Sequence, residues 1–349
     1  MNPRLVAGLA VALCLAGGAW FLWAVEQPAD RTGDRQVRVV DVPEGASFRQ
    51  VAALLEKERL LAGQWGFLLL GKLSGVDRGI PAGEYALHAG MKPKEILSEI
   101  LSGHVVLHPV TIPEGYTVVQ VAELLDRKGL ADQAEFLRLV HDRDFIRTFD
   151  VGEEPLTSLE GYLFPNTYRF AKHTKAEAII NTLVEGLNEV LTPELRARAK
   201  EVGMTVHQVL TLASVIEKET GVEKEQELIS AVFHNRLKRH IPLQSDPTVI
   251  YALASFDGNL KKRDFAVASP YNTYRVTGLP PGPIANPGAG AIKAALYPVP
   301  SSYLYFVSRN DGTHTFSSTL AEHNRAVEKY QRRPARRPAL QRLPADGLS

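Results

Sequence analysis

The clearest alternation of apolar and polar positions in the chain runs through 205–220, where Val206, Val209, Leu210, Ala213 and Ile216 recur at helical spacing. Thr205 and Gln208 predict a capping box at the start of this helix. Stepping at about 100° per residue puts Glu217 between Val206 and Leu210, inside the apolar stripe, while Lys218 falls on the polar side with His207 and Thr211, and Glu219 falls on another flank. A carboxylate on a core face is costly unless it is paired or its pKa moves. Its place in the last turn, at the negative end of the helix dipole, pushes the pKa in the same upward direction. A raised carboxyl pKa is what a general acid working near neutral pH requires. The alternative at this stage is a buried Glu217 paired with an arginine such as Arg236.

Residues 5–25 form the longest apolar run, twenty-one positions without a charge, which is enough to span a bilayer. Arg4 precedes it, Trp20 and Trp23 mark its far end, and Glu26, Asp30 and Arg31 follow. The positive-inside rule then predicts a cytoplasmic segment 1–4, a transmembrane helix 5–25, and an extracytoplasmic remainder on a single-pass protein of the cytoplasmic (inner) membrane. No small-x-small cleavage site follows the run, so a retained anchor is expected rather than a cleaved signal peptide.

After a polar linker at 26–36, the stretch 42–55 aligns without a gap with 112–125, at an offset of seventy residues. Each copy reads as a strand, a Pro-Glu-Gly turn and an amphipathic helix opened by Ser47 or Thr117. Second helices are predicted at 64–70 and 132–140, strands at 83–87 and 104–111, and a helix at 93–101 with Pro93 in its first turn. The region 37–156 thus reads as one or more small α+β modules similar to the glycan-binding LysM type. A different region, 157–330, begins at Glu160-Gly-Tyr-Leu-Phe-Pro165, with helices predicted at 175–190, 193–200, 205–220 and 224–239. It ends in a hairpin, 303–308 with 313–318 around Asn310-Asp-Gly312, and a helix capped by Thr319 and Glu322. The remainder, 331–349, is rich in Arg, Pro and Ala and reads as a disordered basic tail. The expected fold class is α+β: a membrane helix, LysM-like modules and a mixed α/β catalytic domain.

Composition narrows the chemistry. The 349 residues carry a net charge of +1, which gives no sign of a nucleic-acid partner, and the single cysteine, Cys14, lies in the apolar run, so no internal disulfide or thiolate metal site is possible. There is no Gly-rich phosphate loop, no His-Glu-x-x-His pair and no Gly-x-Ser-x-Gly elbow, and His234, His240, His314 and His323 lack metal-ligand spacing. No cofactor and no metal are expected. What remains is carboxylate chemistry beside Pro/Gly-stiffened loops bearing aromatic and polar groups: Leu243–Tyr251, Tyr271-Asn-Thr-Tyr274 and Gly278–Pro287. Singly these are weak. Asp246-Pro247 and Asn286-Pro287 each read as an N-cap followed by Pro at the first helical position, and Tyr271 and Tyr274 could be core.

Taken together, Glu160–Pro165, Leu212–Thr220, Phe233–Leu237, Leu243–Tyr251, Tyr271–Tyr274, Gly278–Gly282, Tyr303–Val307 and His323-Asn324 resemble, in order and spacing, the YceG-like family of endolytic murein transglycosylases. The resemblance covers the chain from the anchor to Tyr330; Asn166 stands where the family more often has Asp. It implies a membrane-anchored enzyme that cuts nascent peptidoglycan strands internally, leaves 1,6-anhydro-N-acetylmuramic acid ends, and uses Glu217 as its catalytic carboxylate. Peptidoglycan strands and the inner membrane are the expected partners, with peptidoglycan synthases as protein partners. The expected groove residues are Asn235, Asp246, Tyr271, Asn272, Tyr274, Pro280, Pro281 and Gly282, with Arg236 nearby. Rival readings are a lysozyme-like muramidase hydrolase and a non-catalytic wall-binding scaffold.

Overall fold

The computed structural model describes residues 3–32, 35–76, 80–150 and 155–332. In chain order these form α1 (Pro3–Glu26), β1 (Arg38–Val42), α2 (Phe48–Lys57), α3 (Gln64–Leu73), β2 (Gly83–Leu87), α4 (Pro93–Ser102), β3 (Leu107–Thr111), α5 (Val118–Arg127), α6 (Gln133–Val140) and α7 (Arg143–Ile146). Then follow β4 (Thr167–Ala171), α8 (Ala176–Val190), α9 (Pro193–Glu201), α10 (Val206–Glu219), α11 (Glu223–Lys238), α12 (Asp246–Ala252), α13 (Ala289–Leu296), β5 (Tyr305–Ser308), β6 (His314–Ser317) and α14 (Leu320–Val327). The class is mixed α+β, and its strands pair as three two-stranded sheets, β1 with β2, β3 with β4 and β5 with β6. Two compact units divide the chain. The first holds residues 1–110, 125–132 and 167–176; the second holds 111–124, 133–166 and 177–349.

In the first unit, α1 contains one span, Val6–Glu26, long and apolar enough to cross a membrane. β1 and β2 pair antiparallel with Arg38 opposite Leu87 and Val42 opposite Gly83. Alternation then sends Val40, Val42, Tyr85 and Leu87 to one face, where they are buried with Val51, Leu55, Phe67, Ile96 and Ile100 from α2, α3 and α4. Ser47 and Gln50 form a capping box on α2, and Gly45 of the first Pro-Glu-Gly turn takes a φ of 74°, a conformation glycine adopts at little cost.

The second unit is mainly helical. Its centre is α10, which packs against α13 and α11. Every residue of α10 from Val209 to Ile216 is buried, and Ile229, Val232, Phe233, Ile292 and Ala295 complete the surrounding core. The Thr205–Gln208 and Thr319–Glu322 capping boxes expected from the sequence start α10 and α14. The hairpin is two residues shorter at its first strand than the pattern predicts, with Tyr305 opposite Ser317 and Ser308 opposite His314. Most of the expected basic tail lies outside the described residues; only Gln331 and Arg332 are described, in a π-turn that continues α14.

Candidate active site

Glu217 sits where the stripe of α10 meets the surface. Ile216 before it is buried, Lys218 after it is exposed, and Glu217 itself is half-buried. Its Oε2 accepts a hydrogen bond from the backbone N–H of Gly288, the residue that caps the start of α13, at 3.1 Å. Burial raises its pKa above the ordinary carboxylate value; the Gly288 bond opposes this, the charge of Glu114 adds to it, and Lys218 opposes it again. The net direction is upward. The arginine alternative fails, because Arg236 donates to the carbonyls of Leu304 (2.7 Å), Pro242 (3.0 Å) and Leu243 (2.9 Å) and to Gln244 Oε1 (3.2 Å).

The second Pro-Glu-Gly turn forms one wall. Gly115 lies against Glu217, so that a Cβ there would come 3.5 Å from Glu217 Cγ, and the Lys218 ammonium donates to the Gly115 carbonyl at 3.2 Å. Glu114 rests on Gly288; a side chain at that glycine would overlap the Glu114 carboxylate. Two carboxylates therefore meet the start of α13. The periodicity of α10 marked only Glu217, and the repeat alignment drew attention to the turn as an element, not to Glu114 as a neighbour.

Asn286 ties the walls together and corrects one expectation. It is fully buried, and it is not the cap of α13, which is Gly288. Its Oδ1 accepts from Leu163 N at 2.9 Å, its Nδ2 donates to the Tyr116 carbonyl at 2.8 Å, its own N–H donates to that same carbonyl at 2.8 Å, and its carbonyl accepts from Gly115 N at 2.8 Å. The local Asn-Pro pattern favours a cap, but these tertiary bonds satisfy four buried groups at once.

Below this, Glu160 is buried with Oε1 accepting from Val118 N at 3.0 Å and Oε2 3.4 Å from the Tyr251 hydroxyl. Burial pushes its carboxyl up to about 8, against an ordinary 4.5, so it is neutral at pH 7. An unfolded Glu160 ionises above about 4.5 and the folded one above about 8, so this group's stability is fully present below 4.5 and lost as pH rises through that window. The slope approaches about 1.4 kcal/mol per pH unit. Glu160→Gln keeps the shape and both bonding positions without the titration. The variant is expected to melt with the wild type near pH 4.5 and above it at pH 8. Parallel melting temperatures at both pH values would remove the neutral-acid assignment.

The expected groove residues divide into two groups. Pro280 and Gly282 are buried, Pro281 is exposed and Tyr271 is half-buried. The His207 Nε2–H donates to the Pro281 carbonyl at 2.9 Å, leaving Nδ1 to accept from the Tyr162 hydroxyl at 2.8 Å. A Cβ on Gly282 would meet His207 and the Tyr271 hydroxyl at 3.3 to 3.4 Å, and the Tyr271 ring lies 4.9 Å from that of Tyr251.

Asp246 and Tyr274 belong to the second group, with Glu219. Two residues further along α10 than Glu217, Glu219 points about 200° away from it. Burial pushes it up to about 7; the Ser245 hydroxyl, donating at 2.5 Å, opposes the rise, Asp246 adds to it and Arg236 opposes it. The Tyr274 hydroxyl donates to Asp246 Oδ1 at 2.5 Å. These side chains line a cavity of about 420 Å³ together with Arg236 and His323.

Three more expectations change here. Asp246 is the first residue of α12, not its cap; Ser245 holds the cap position, its hydroxyl turned to Glu219, and Asp246 turns to Tyr274 instead. Asn272 is fully buried and does not line a groove: its amide nitrogen donates to the carbonyls of Phe265 (3.0 Å) and Val267 (2.9 Å), and its oxygen accepts from Tyr274 N (3.1 Å), so it staples the loop. Asn235 likewise spends its amide on the carbonyls of Ser301 (3.0 Å) and Tyr303 (2.9 Å). Among the described residues no group of three or more His, Cys, Asp or Glu side chains is placed to hold a metal ion.

A mainly helical unit that carries a half-buried, raised carboxyl on α10 against the Pro-Glu-Gly turn and the start of α13 suits a carboxylate-based enzyme. Residues 40–329 match the model of the YceG-like family, and the chain belongs to that family. It is similar to the endolytic murein transglycosylase of Bacillus subtilis (strain 168), with 34% identity over 331 residues that cover 90% of this chain and 91% of the relative. It is also similar to the endolytic murein transglycosylase of Streptococcus pneumoniae serotype 2, 31% identical over 352 residues; that match covers 92% of this chain but 63% of the longer relative. A 2.6 Å crystal structure of a yceG-like protein from Listeria monocytogenes matches with a TM-score of 0.56 at 34% identity, covering 84% of this chain and 99% of that one.

Proposed function

We propose that this chain is an endolytic peptidoglycan lytic transglycosylase, cutting the β-1,4 bond after N-acetylmuramic acid in nascent strands and leaving 1,6-anhydro ends. The observation that carries the mechanism is Glu217: a half-buried carboxyl with a raised pKa, held at Gly288 N–H and walled by the Pro-Glu-Gly turn. Protonated, it gives its proton to the leaving glycosidic oxygen as the C1–O4 bond breaks and positive charge develops at C1. As a carboxylate it then takes the proton from the C6 hydroxyl of the same muramic acid, whose oxygen closes on C1. One carboxylate serves both steps, no water enters the product, and the intramolecular nucleophile gains from proximity.

The exposed Pro281, the half-buried Tyr271 and, on the other side of α10, Tyr274 and Asp246 supply flat apolar faces and hydroxyl partners for sugar rings. We read the part of 37–156 that falls in the first unit as LysM-like and glycan-holding, α1 as a single membrane span with Arg4 on the cytoplasmic side, and the strands that are cut as those made by peptidoglycan synthases.

Glu114 gives a specific reason to test the hydrolase reading, since a second carboxylate at the site is what a lysozyme-like enzyme would use. Mass spectrometry of the products from purified glycan strands separates the two. The transglycosylase yields anhydro ends, lighter by one water than the reducing ends a hydrolase leaves. Reducing ends as the sole products would replace the present mechanism with hydrolysis, and tight binding without cleavage would replace it with a scaffold.

A further inference from the structure

Helix α3 exposes an apolar face beside the outer end of α1. Trp65, Leu69 and Leu73 follow one another at intervals of four and are 69%, 39% and 68% exposed. The opposite side of the helix, with Gly66, Phe67 and Gly71, is buried. Such a row is unusual on a water-facing surface, and its composition is that of a helix lying in a lipid head-group layer.

The neighbouring helix says what covers it. Gly66 packs so closely on α1 that a Cβ there would come 3.1 Å from Ala24 Cβ, and Ala24 adjoins Trp23 at the end of the apolar span. Twenty-one residues rising about 1.5 Å each match a hydrocarbon thickness of about 30 Å, so Trp20, Trp23 and Ala24 stand at the bilayer surface. Trp65, next to Gly66 in sequence, stands at the same level. Trp20, Trp23, Trp65 and Phe67 edge a recess of about 310 Å³, and Arg31 lies 5.3 Å above the Trp23 ring, a cation at head-group height.

We infer that α3 is an interfacial helix, inserted through Trp65, Leu69 and Leu73 into the leaflet at the C-terminal end of α1, so that the first unit is held against the membrane by two contacts rather than by a tether alone. The inference rests on the reading of α1 as a membrane span, and its test keeps the two apart.

The chain has three tryptophans. The full-length W20F/W23F variant leaves Trp65 as the sole emitter, and W65F leaves the pair on α1. Each is reconstituted in phosphatidylcholine–phosphatidylglycerol vesicles whose acyl chains carry bromine near the head group or near the chain end. Trp65 emission is expected to fall by about half with shallow bromines and less with deep ones. Replacing Leu69 and Leu73 by Lys in the W20F/W23F chain is expected to restore most of it. Quenching in W65F without quenching of Trp65 overturns the docking and leaves the span standing; absence of quenching in both overturns the two together. Trp65 shielded from both bromine and aqueous iodide overturns docking in favour of cover by a second copy of the chain. Full quenching that survives the Leu-to-Lys changes assigns the contact to α1 and overturns the role of the α3 face.

Discussion

Glu217→Gln is expected to reduce strand cleavage by about 10²–10⁴-fold while leaving the melting curve close to that of the wild type. The amide is nearly isosteric with the acid, and its oxygen can still accept the Gly288 N–H that Glu217 Oε2 accepts at 3.1 Å. It cannot supply a proton to a departing sugar oxygen, nor take one from the C6 hydroxyl, so both halves of the proposed reaction stop. Burial raises the pKa of Glu217, and Glu114 adds to the rise, so removing the ionisable group takes away a cost of folding and does not create one. The measurement is release of soluble products from purified glycan strands at matched protein concentration, with a thermal melt alongside. Wild-type release from a folded Glu217→Gln protein would move the proton transfer to another carboxyl. Glu114, which also meets Gly288, would be the first place to look.

Local pattern carried the sequence reading a long way wherever a short-range rule decides the outcome. The capping box of Thr205 and Gln208 starts α10 as expected, whereas Glu217, which helical phase puts inside the apolar stripe, is half-buried because the helix reaches the surface there. The strand at 83–87 and the hairpin β5–β6 were also legible, from short strands bounded by turn residues, whereas the pairing of β1 with β2 came from the structure. Failures came where distant segments outvoted a local preference. Asp246 and Asn286 each precede a proline and read as caps, yet Asp246 turns to the Tyr274 hydroxyl and Asn286 to Leu163 and Tyr116. Glu219 lies on another flank of α10, where helical phase does not single it out; the Ser245 hydroxyl donates to it, and burial raises its carboxyl to about 7. Glu160 stands in a motif the sequence singled out, but nothing in its neighbours announces that Val118 and Tyr251 enclose it. Glu114 was visible only as the middle of a repeated turn. Its place beside Glu217 depends on Asn286 drawing that turn against the 278–287 loop.

That dependence makes Gly161 the most sensitive backbone position of the site. Its φ is 84°, and a Cβ there would overlap the ring of Pro283 and come 3.5 Å from the carbonyl of Ala285. Alanine in the left-handed region costs about 1–2 kcal/mol, and forcing a methyl group into a packed contact adds about 1–3 kcal/mol. Neither neighbour yields cheaply: Pro283 has no rotamer to change, and Ala285 presents backbone. The loop would have to retreat, taking with it Asn286 and Gly288, whose N–H holds Glu217. Gly161→Ala is therefore expected to lower the melting temperature by about 5–15 °C and to cut activity even below the melt. Gly278→Ala provides the comparison. Its φ of 96° carries the same conformational strain, but nothing lies within 4 Å of the added carbon. The difference between the two variants isolates the clash with Pro283. Equal, small losses in both would mean that the Glu160–Tyr162 turn and the 278–287 loop do not press on one another, and the packing that seats Glu217 would need another explanation.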